Sequence, residues 1–513
     1  MTTRSFASWV ATVVALAGCN SEPSAIALPE GFLIGTSTAG FQVDMGCPTL
    51  PASQCVDANS DWYQFVTSPD TIALSHTHLV GEDPAVVGPG HWELYEHDFD
   101  LAQADGHTVF RMSLEWSRIF PTSTVGIEGF DPLHAIANPD ALAHYHAVFA
   151  ALRARGLEPY VTLNHYSLPS WIHDGLGCTL DFDHCTARGW ADPATIVPEI
   201  AKYAGFVARE FGGEVDLWAT ENEPFAIVLP GYVMPSETRS NPPAQNLLPA
   251  AAKIVFNALI DAHARMYDAI HAADTVDASG HGVAANVGLV YAMAPVAPQD
   301  PSNPKDVKAA ENVFYLWNMA FLNAVVGGVL DANLDGNGVP RADLANRMDH
   351  LGINYYVRPT IQGTDGPVLP DLSPLTTFNP FTLTQDQVYP RGMYELVMFV
   401  HEQFDLPMFI TENDGQAIPR GDVDAEQGAL VETLQWLARA ANEGADVRGY
   451  MYWSLIDNYE WNHGTTLPFG LYQVDPHDPQ KTRVPRPTAQ LLARIAKGHA
   501  IAGDLVGRYP IGD

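Results

Sequence analysis

The 513-residue chain has little positive charge: 26 lysines and arginines stand against 60 aspartates and glutamates, a formal net charge of −34. This excess of negative charge repels phosphate backbones and argues against a nucleic-acid partner. Long apolar runs are also scarce, and no segment after the N-terminus has the length and apolar character needed to cross a membrane. The chain has no linker rich in glycine, serine or proline, so we expect one folded domain.

The N-terminus has the pattern of an export signal. Arg4 precedes an apolar run over residues 6–17, too short for a bilayer, which ends in Leu-Ala-Gly-Cys at residues 16–19. This ending resembles a bacterial lipobox and predicts a signal peptide at residues 1–18, a lipidated Cys19 and a tether at residues 19–28. Acyl chains would then anchor the protein to a membrane, in the periplasm or at the cell surface. The alternative is cleavage after Ala27, which would leave a soluble exported protein.

Cysteine is scarce, and the four cysteines after Cys19 form two pairs that are close in sequence. Cys47 and Cys55 make one pair, and Cys178 and Cys185 make the other. In an oxidising compartment we expect two local disulfides. A zinc site is the alternative, but the spacings are wide for such a site and no histidine pair accompanies them.

Short apolar segments alternate with longer amphipathic ones after residue 29, as in repeated strand–helix units. Predicted strands cover residues 32–35, 109–113, 158–163, 217–220, 283–290, 351–354, 407–411 and 450–454. Predicted helices cover residues 140–155, 196–211, 249–273, 312–325, 392–404, 424–442 and 487–497. This pattern predicts an α/β fold, a single (β/α)8 TIM barrel over residues 29–513. The segments 44–91 and 363–390 are predicted to be long loops on its C-terminal face.

Polar side chains lie at or just after the ends of most predicted strands. In a barrel these ends meet on one face, where the active sites of this fold are found. The residues are Gln42, Arg111, Glu115, Asn164, His165, Asn222, Glu223, Asn354, Tyr355, Tyr356, Glu412, Asn413, Glu460 and Trp461. Because so many polar residues share this position in the repeat, we predict an active site there.

Glu223 and Glu412 are the carboxylates of this predicted site that suit acetal hydrolysis. Such hydrolysis needs one protonated carboxyl group to assist the leaving group and one ionised carboxylate to attack the anomeric carbon. A neighbouring anion favours the protonated form of the acid. Carboxyl groups roughly 5–5.5 Å apart would retain the anomeric configuration through a covalent glycosyl-enzyme.

Several motifs, in order along the chain, resemble glycoside hydrolase family 1, the β-glucosidase family, and within it the archaeal-type β-glycosidases. The motifs are residues 32–42, 111–118, 220–224, 352–356, 410–413 and 452–461. The resemblance covers about residues 29–505. It implies a retaining exo-β-glycosidase that needs no cofactor and hydrolyses terminal, non-phosphorylated β-glucosides, β-galactosides or β-fucosides by double displacement.

The resemblance also implies a role for each matching residue. Glu223 matches the acid/base and Glu412 the nucleophile. Asn222 matches the residue that binds the sugar 2-hydroxyl, Tyr356 the phenol that donates to the nucleophile, and Arg111 the cation that keeps the nucleophile ionised. Residues matched to the binding of the terminal sugar are Gln42, His165, Asn354, Trp453, Glu460, Trp461 and Phe469.

Three positions depart from the usual pattern of the family. Tyr166 stands where many members have tryptophan, Asp414 adds an acidic residue after the nucleophile motif, and Pro468 stands where many relatives have a basic residue. These departures concern substrate preference and leave the chemistry intact. The carboxylate of Glu460 argues against a phosphorylated sugar, because it would repel a phosphate group.

Residues 331–338 resemble the first half of a calcium-binding loop, with Asp331, Asn333 and Asp335 as candidate ligands. The twelfth position of such a loop is Ala342 rather than glutamate. An acidic turn before a helix explains these residues equally well.

The leading hypothesis is an enzyme, and the alternative from another class is a surface lipoprotein that binds glycans without cleaving them. Barrels of this family that have lost catalysis usually lose one carboxylate, whereas this chain keeps both. Transglycosylation shares the same intermediate and differs only in whether water or a sugar captures it. The sequence does not determine the oligomeric state.

Overall fold

The computed structural model describes residues 23–382, 384–414 and 421–512, so the predicted signal peptide and Cys19 lie outside the described residues. Among the described residues, eight parallel strands form a closed barrel, in which β8 pairs with β1. The strands are β1 Leu33–Ser37, β2 Val109–Ser113, β3 Glu158–Asn164, β4 Leu217–Asn222, β5 Asn286–Ala292, β6 His350–Asn354, β7 Met408–Glu412 and β8 Val447–Trp453. The predicted (β/α)8 barrel is confirmed.

The interior of the barrel is filled by side chains, as in other barrels of this size. This inner core consists of Val109, Tyr160, Leu217, Ala219, Val290, Phe409 and Met451. The Tyr160 hydroxyl lies 2.7 Å from Nε2 of His350, which gives this buried phenol a hydrogen-bond partner. Because the interior is packed, polar side chains gather at the open C-terminal end.

The main helices lie outside the barrel, between successive strands. They are α1 His91–Ala104, α2 Pro139–Ala154, α3 Pro193–Phe211, α4 Pro249–Ala273, α5 Pro304–Phe314, α6 Arg391–Phe404, α7 Val423–Asn442 and α8 Pro487–Gly498. A π-helical turn at Tyr315–Met319 and a helix at Ala320–Val325 continue α5. Helix α5 begins eight residues before the predicted start at residue 312, because the Asn303 side chain caps it and Pro304 occupies its first turn.

The two segments predicted as long loops contain short elements. Residues 44–91 include helices at Ala52–Cys55, Asp61–Thr67, Pro69–Ile72 and Pro84–Val87. Residues 363–390 include the strand Thr384–Gln387, which forms a small sheet with Arg358–Ile361 and Ala297–Pro298. Other short helices are Gly40–Val43, Trp116–Ile119, Phe130–Ile136, Gly175–Leu180, Pro224–Tyr232 and Gly503–Arg508.

Several strands extend beyond their predicted ends. Strand β3 continues to Asn164, β4 to Asn222 and β7 to Glu412, although these last residues are polar. Backbone pairing with neighbouring strands continues through them, for example between Asn354 and Glu412. The polar residues therefore belong to the barrel wall itself, and the wall positions their side chains.

The folded body begins earlier than the sequence predicts. Ile26–Ala27 pairs with Ala500–Ile501, and Leu28 is buried, so residues 26–28 are not part of a tether.

The two predicted disulfides are confirmed: Cys47 bonds Cys55 and Cys178 bonds Cys185, with Cα atoms 6.0 and 5.0 Å apart. In the described part of the chain, no helix combines the length and apolar character needed to span a membrane.

Candidate active site

A cavity of about 570 Å³ opens at the C-terminal end of the barrel. Its volume suits a small ligand such as a sugar. Its lining includes the sequence-predicted residues Gln42, His165, Glu223, Asn354, Tyr356, Glu412, Trp453, Glu460, Trp461 and Phe469. Arg111 and Asn222 do not line the cavity; both are fully buried and contact residues that do.

Glu223 owes its direction to the turn that ends β4. It follows Asn222 in the left-handed conformation, with φ 47° and ψ 66°, and Pro224 begins the next helix. The backbone N–H of Glu223 donates to the carbonyl of Val290 on β5 at 2.9 Å. A left-handed non-glycine residue is uncommon and is often found at functional sites.

Two neutral side chains hold the carboxyl group of Glu223. The Tyr166 hydroxyl donates to Oε2 at 2.5 Å, and the Asn354 amide donates to Oε1 at 2.7 Å. Within the described part of the chain, no lysine, arginine or histidine forms an ion pair with Glu223. This carboxyl group can therefore exist as an acid without losing a cationic partner.

Glu412 has a different environment at the end of β7. Nη1 of Arg111 lies 2.5 Å from its Oε1, and the Tyr356 hydroxyl donates to its Oε2 at 2.7 Å. Burial raises the pKa of Glu412 to about 7, Arg111 opposes this rise, and the charge of Glu223 adds to it. The cation and the phenol both favour the ionised form.

Arg111 connects four strands beneath the cavity. Its Nε donates to Oγ1 of Thr162 at 3.0 Å, and its Nη2 donates to Oδ1 of Asn222 at 2.8 Å. With the pair to Glu412, the guanidinium links β2, β3, β4 and β7. A fully buried arginine needs such partners, because an unpaired buried charge is costly.

One side of the cavity offers polar atoms suited to sugar hydroxyls. Gln42 donates to Oε2 of Glu460 at 2.8 Å, and Asn458 donates to the same oxygen at 2.7 Å. Burial lowers the pKa of His165 well below its usual value, so its ring is neutral. Among the described residues, Nδ1 of His165 and Oε1 of Gln42 have no hydrogen-bond partner although both are buried. A hydroxylated ligand could supply the missing partners.

Another part of the cavity lining is apolar. The rings of Trp317 and Phe225 are parallel within 4°, with centroids 6.2 Å apart, and Met293 lies in the same cavity wall. Nε1 of Trp317 donates to the carbonyl of Ala292 at 2.9 Å. Sequence reasoning missed Trp317, because the π-helical turn around it displaces the regular helical spacing.

Two further cavity residues were not among the predicted site residues. Tyr166 was noted only as a departure from the family pattern that concerns substrate preference, yet its hydroxyl contacts Glu223. Arg239 lies over the rings of Tyr166 and Trp461, 4.9 and 4.8 Å from their centroids, and 3.2 Å from Glu460. Arg239 lies in an irregular segment, where no periodic pattern marks which side chains point inward.

The acidic loop at residues 331–338 is a hydrogen-bonded turn. The Asp331 carboxylate accepts backbone N–H groups from Asp335 and Gly336, at 3.1 and 2.7 Å, and the hydroxyl of Tyr315 at 2.8 Å. These donors occupy the oxygens that a calcium ion would need. The described residues contain no group of three or more His, Cys, Asp or Glu side chains that could hold a metal ion.

The chain is similar to known proteins over most of its length. It is 34% identical over 502 residues to the β-galactosidase of Pyrococcus woesei, which covers 89% of this chain and 94% of that protein. It is 27% identical to a 6-phospho-β-galactosidase of Lacticaseibacillus casei, over 92% of this chain and 99% of that one.

The structure of the β-glycosidase from Thermosphaera aggregans matches with a TM-score of 0.78 and 29% identity, over 95% of this chain and all of that one. Residues 24–501 match the model of glycosyl hydrolase family 1. The resemblance seen in the sequence motifs therefore extends to the whole barrel. The chain belongs to glycosyl hydrolase family 1 and is an O-glycosyl hydrolase of the β-glycosidase type.

Proposed function

We propose that this protein is a retaining exo-β-glycosidase for non-phosphorylated β-glycosides, with Glu223 as acid/base and Glu412 as nucleophile. The observation that carries this assignment is the asymmetry between the two carboxyl groups. Glu412 contacts the guanidinium of Arg111, which favours a carboxylate, whereas Glu223 contacts only neutral donors among the residues that the structure describes. The group beside a cation suits attack, and the group beside neutral partners suits proton transfer.

The reaction proceeds in two displacements. Glu412 attacks the anomeric carbon while the carboxyl proton of Glu223 moves to the glycosidic oxygen. The bond between the anomeric carbon and this oxygen breaks, and a glycosyl-enzyme forms. Glu223, now a carboxylate, removes a proton from water as the water attacks the same carbon and releases Glu412. Two inversions give net retention.

Asn222 and Arg111 support this chemistry from below. Arg111 stabilises the free nucleophile, and Asn222 is the residue that we expect to bind the sugar 2-hydroxyl. Its Oδ1 accepts hydrogen bonds from Arg111 and Asn354, at 2.8 and 3.1 Å, which hold the amide in place. Hydrogen bonds to this hydroxyl strengthen in the transition state.

The charges in the cavity favour an unphosphorylated sugar. Arg239 is already paired with Glu460, so its positive charge is compensated rather than free for a phosphate. The 6-phospho-β-galactosidase relative shows that the family includes phosphorylated substrates, but the carboxylate of Glu460 would oppose such a group here.

The test is turnover of aryl β-glycosides by the chain without residues 1–19. The panel contains gluco, galacto, fuco, manno, xylo and 6-phosphogluco derivatives. We expect hydrolysis of at least one unphosphorylated glycoside, and loss of this activity in Glu412→Gly and Glu223→Ala. Azide should then yield the α-glycosyl azide with Glu412→Gly, because it replaces the attacking carboxylate. It should yield the β-glycosyl azide with Glu223→Ala, because there it replaces the water that attacks the glycosyl-enzyme.

Two outcomes would contradict the proposal. If the unaltered protein binds sugars but turns over none of the panel, it is a glycan-binding protein. If the 6-phosphoglucoside is the preferred substrate, the proposed role of Glu460 in disfavouring a phosphate group is wrong. The configuration of the azide products separately decides which carboxylate attacks.

We also propose that the protein is exported and anchored through a lipidated Cys19. The motif at residues 16–19 supports this proposal, and the two disulfides support export. Cleavage after Ala27, the alternative, would remove the residues that pair with Ala500–Ile501. Labelling with a radioactive fatty acid should mark the wild-type protein and not Cys19→Ala. An unlabelled wild-type protein in the soluble fraction would support the alternative.

A further inference from the structure

Tyr166 contacts both Asn222 at the end of β4 and Glu223 in the turn that follows. It follows β3 in the left-handed conformation, with φ 71°, and is 5% exposed. Such a backbone conformation is unusual for a bulky side chain. Its hydroxyl lies 2.9 Å from Nδ2 of Asn222 and 2.5 Å from Oε2 of Glu223.

The direction of each hydrogen bond follows from Arg111. A guanidinium can only donate, so the Asn222 atom that faces Arg111 must be its oxygen. The amide nitrogen of Asn222 therefore faces Tyr166 and donates to the phenol oxygen. The phenol proton is then free to point at Glu223. The hydrogen-bond partners of Asn222 therefore determine its amide orientation.

The other oxygen of Glu223 faces an amide nitrogen. Asn354 faces the acceptor oxygen of Asn222 at 3.1 Å, so this atom of Asn354 must be its amide nitrogen. That nitrogen also donates to Oε1 of Glu223 at 2.7 Å. Because an amide N–H only donates, Oε1 serves as an acceptor, and the proton of an un-ionised Glu223 belongs on Oε2, beside Tyr166.

A phenol suits the partner of an atom that gains and loses a proton. When Glu223 is ionised, Tyr166 donates to Oε2, and when Glu223 is protonated, the phenol oxygen can accept from it. Asn222 donates to the phenol oxygen in both states. Only the phenol hydrogen has to rotate. The ring itself is held by Arg239, 4.9 Å from its centroid, and by Trp461, with ring centroids 4.9 Å apart.

We infer that Tyr166 is a positioning residue for Glu223: it holds the oxygen that carries the transferred proton, and its hydroxyl helps to set the alkaline limb of the pH profile of catalysis. This inference rests on the proposed acid/base role of Glu223. A hydrogen bond donated to a carboxylate favours the ionised form. Loss of the hydroxyl removes this preference for the ionised form, so activity should persist to higher pH.

The experiment measures kcat/KM against pH for Tyr166→Phe, with an aryl glycoside whose departure needs acid assistance. The alkaline limb of the profile should move upward by about one pH unit. Tyr203→Phe is the matched control, because this buried tyrosine has a hydroxyl without a partner among the described residues. Its profile should coincide with that of the wild type.

Other titratable and charged groups surround Glu223 or its partners. They are Arg111 on β2, His165 after β3, Arg239, Tyr356 after β6, Glu412 on β7, Asp414, Glu460 and His463. All of them are present in the wild type and in Tyr166→Phe, so a difference between the two profiles reports the hydroxyl.

A second substitution should shift the alkaline limb in the opposite direction. Replacement of Tyr166 by 3-fluorotyrosine makes the phenol more acidic and a stronger donor, so the alkaline limb should move to lower pH. Lower activity of Tyr166→Phe with an unmoved limb, or a limb that moves the same way in both variants, would overturn the inference. The azide rescue of Glu223→Ala tests the proposed function separately, so the two failures can be distinguished.

Discussion

At the scale of single residues, the two carboxyl groups of the cavity differ in their partners. Both are glutamates at the end of a barrel strand. Glu412 contacts a cation that is itself held by Thr162 and Asn222, whereas Glu223 contacts a phenol and an amide. The proposed division of labour between them therefore depends on neighbours that lie far away in the sequence.

One prediction concerns the pH dependence of attack in Glu223→Gln. Burial is the main cause of the raised pKa of Glu412, and the charge of Glu223 contributes to the same rise. Attack needs ionised Glu412, so activity falls as the pH drops through this pKa. As the proposed acid, Glu223 is protonated and uncharged over this limb, so Glu223→Gln should leave the acid limb of kcat/KM in place.

The substrate for this measurement is a dinitrophenyl β-glycoside, which leaves without acid assistance. Glu460→Gln serves as the comparison, because it also removes one negative charge from the cavity but is not among the main influences on the pKa of Glu412. An acid limb that moves to lower pH in Glu223→Gln would show that Glu223 is ionised while Glu412 attacks, which contradicts its role as the acid.

At the scale of elements, the sequence predicts the correct bounds where buried residues recur with the regular spacing of a strand or a helix. Strand β2 and helix α4 have the predicted bounds. Helix α1 was missed because its buried face includes polar residues. His91 lies 2.7 Å from Asp98, and both Nε and Nη2 of Arg483 donate to the Asp98 carboxylate, so the apolar period is interrupted. Such pairing becomes visible only in the folded state.

A second prediction concerns helix α4, which packs on α3 outside the barrel. Leu259 is fully buried, whereas Ile254 on the same helix is 45% exposed. Leu259→Ala should destabilise the protein by about 3 kcal/mol, because it removes buried methyl groups and leaves a cavity. Ile254→Ala should change the stability by about 0.5 kcal/mol or less.

Thermal unfolding followed by circular dichroism gives the measurement. The specific entropy of unfolding predicts a midpoint lower by about 3 °C in Leu259→Ala for a chain of this size. The midpoint of Ile254→Ala should stay near that of the wild type. Equal effects of the two substitutions would contradict the packing of α4 described above.

At the scale of the whole molecule, the dominant feature is the net charge of −34. Many exposed ion pairs join basic side chains to acidic ones, but 60 acidic residues cannot all find partners among 26 basic ones. The remaining carboxylates repel one another, which disfavours the compact state.

A third prediction follows from this repulsion. Raising the NaCl concentration from about 20 mM to about 500 mM at pH 7 should raise the thermal midpoint, because salt screens interactions between exposed charges. Potassium chloride at the same ionic strength should have the same effect, since the screening is not specific to the cation. A midpoint that falls with salt would mean that the surface ion pairs outweigh the repulsion.

The sequence by itself determined the barrel, the two disulfides and the ring of polar residues at the strand ends. These properties depend on local spacing: apolar periods, close cysteine pairs and motifs of a few residues. Only the tertiary structure decided which side chains meet. Arg111 reaches Glu412 from β2, and Tyr166 reaches Glu223 from β3, because closure of the barrel brings these strand ends to one cavity. A periodic pattern records which way a residue faces, but not what faces it.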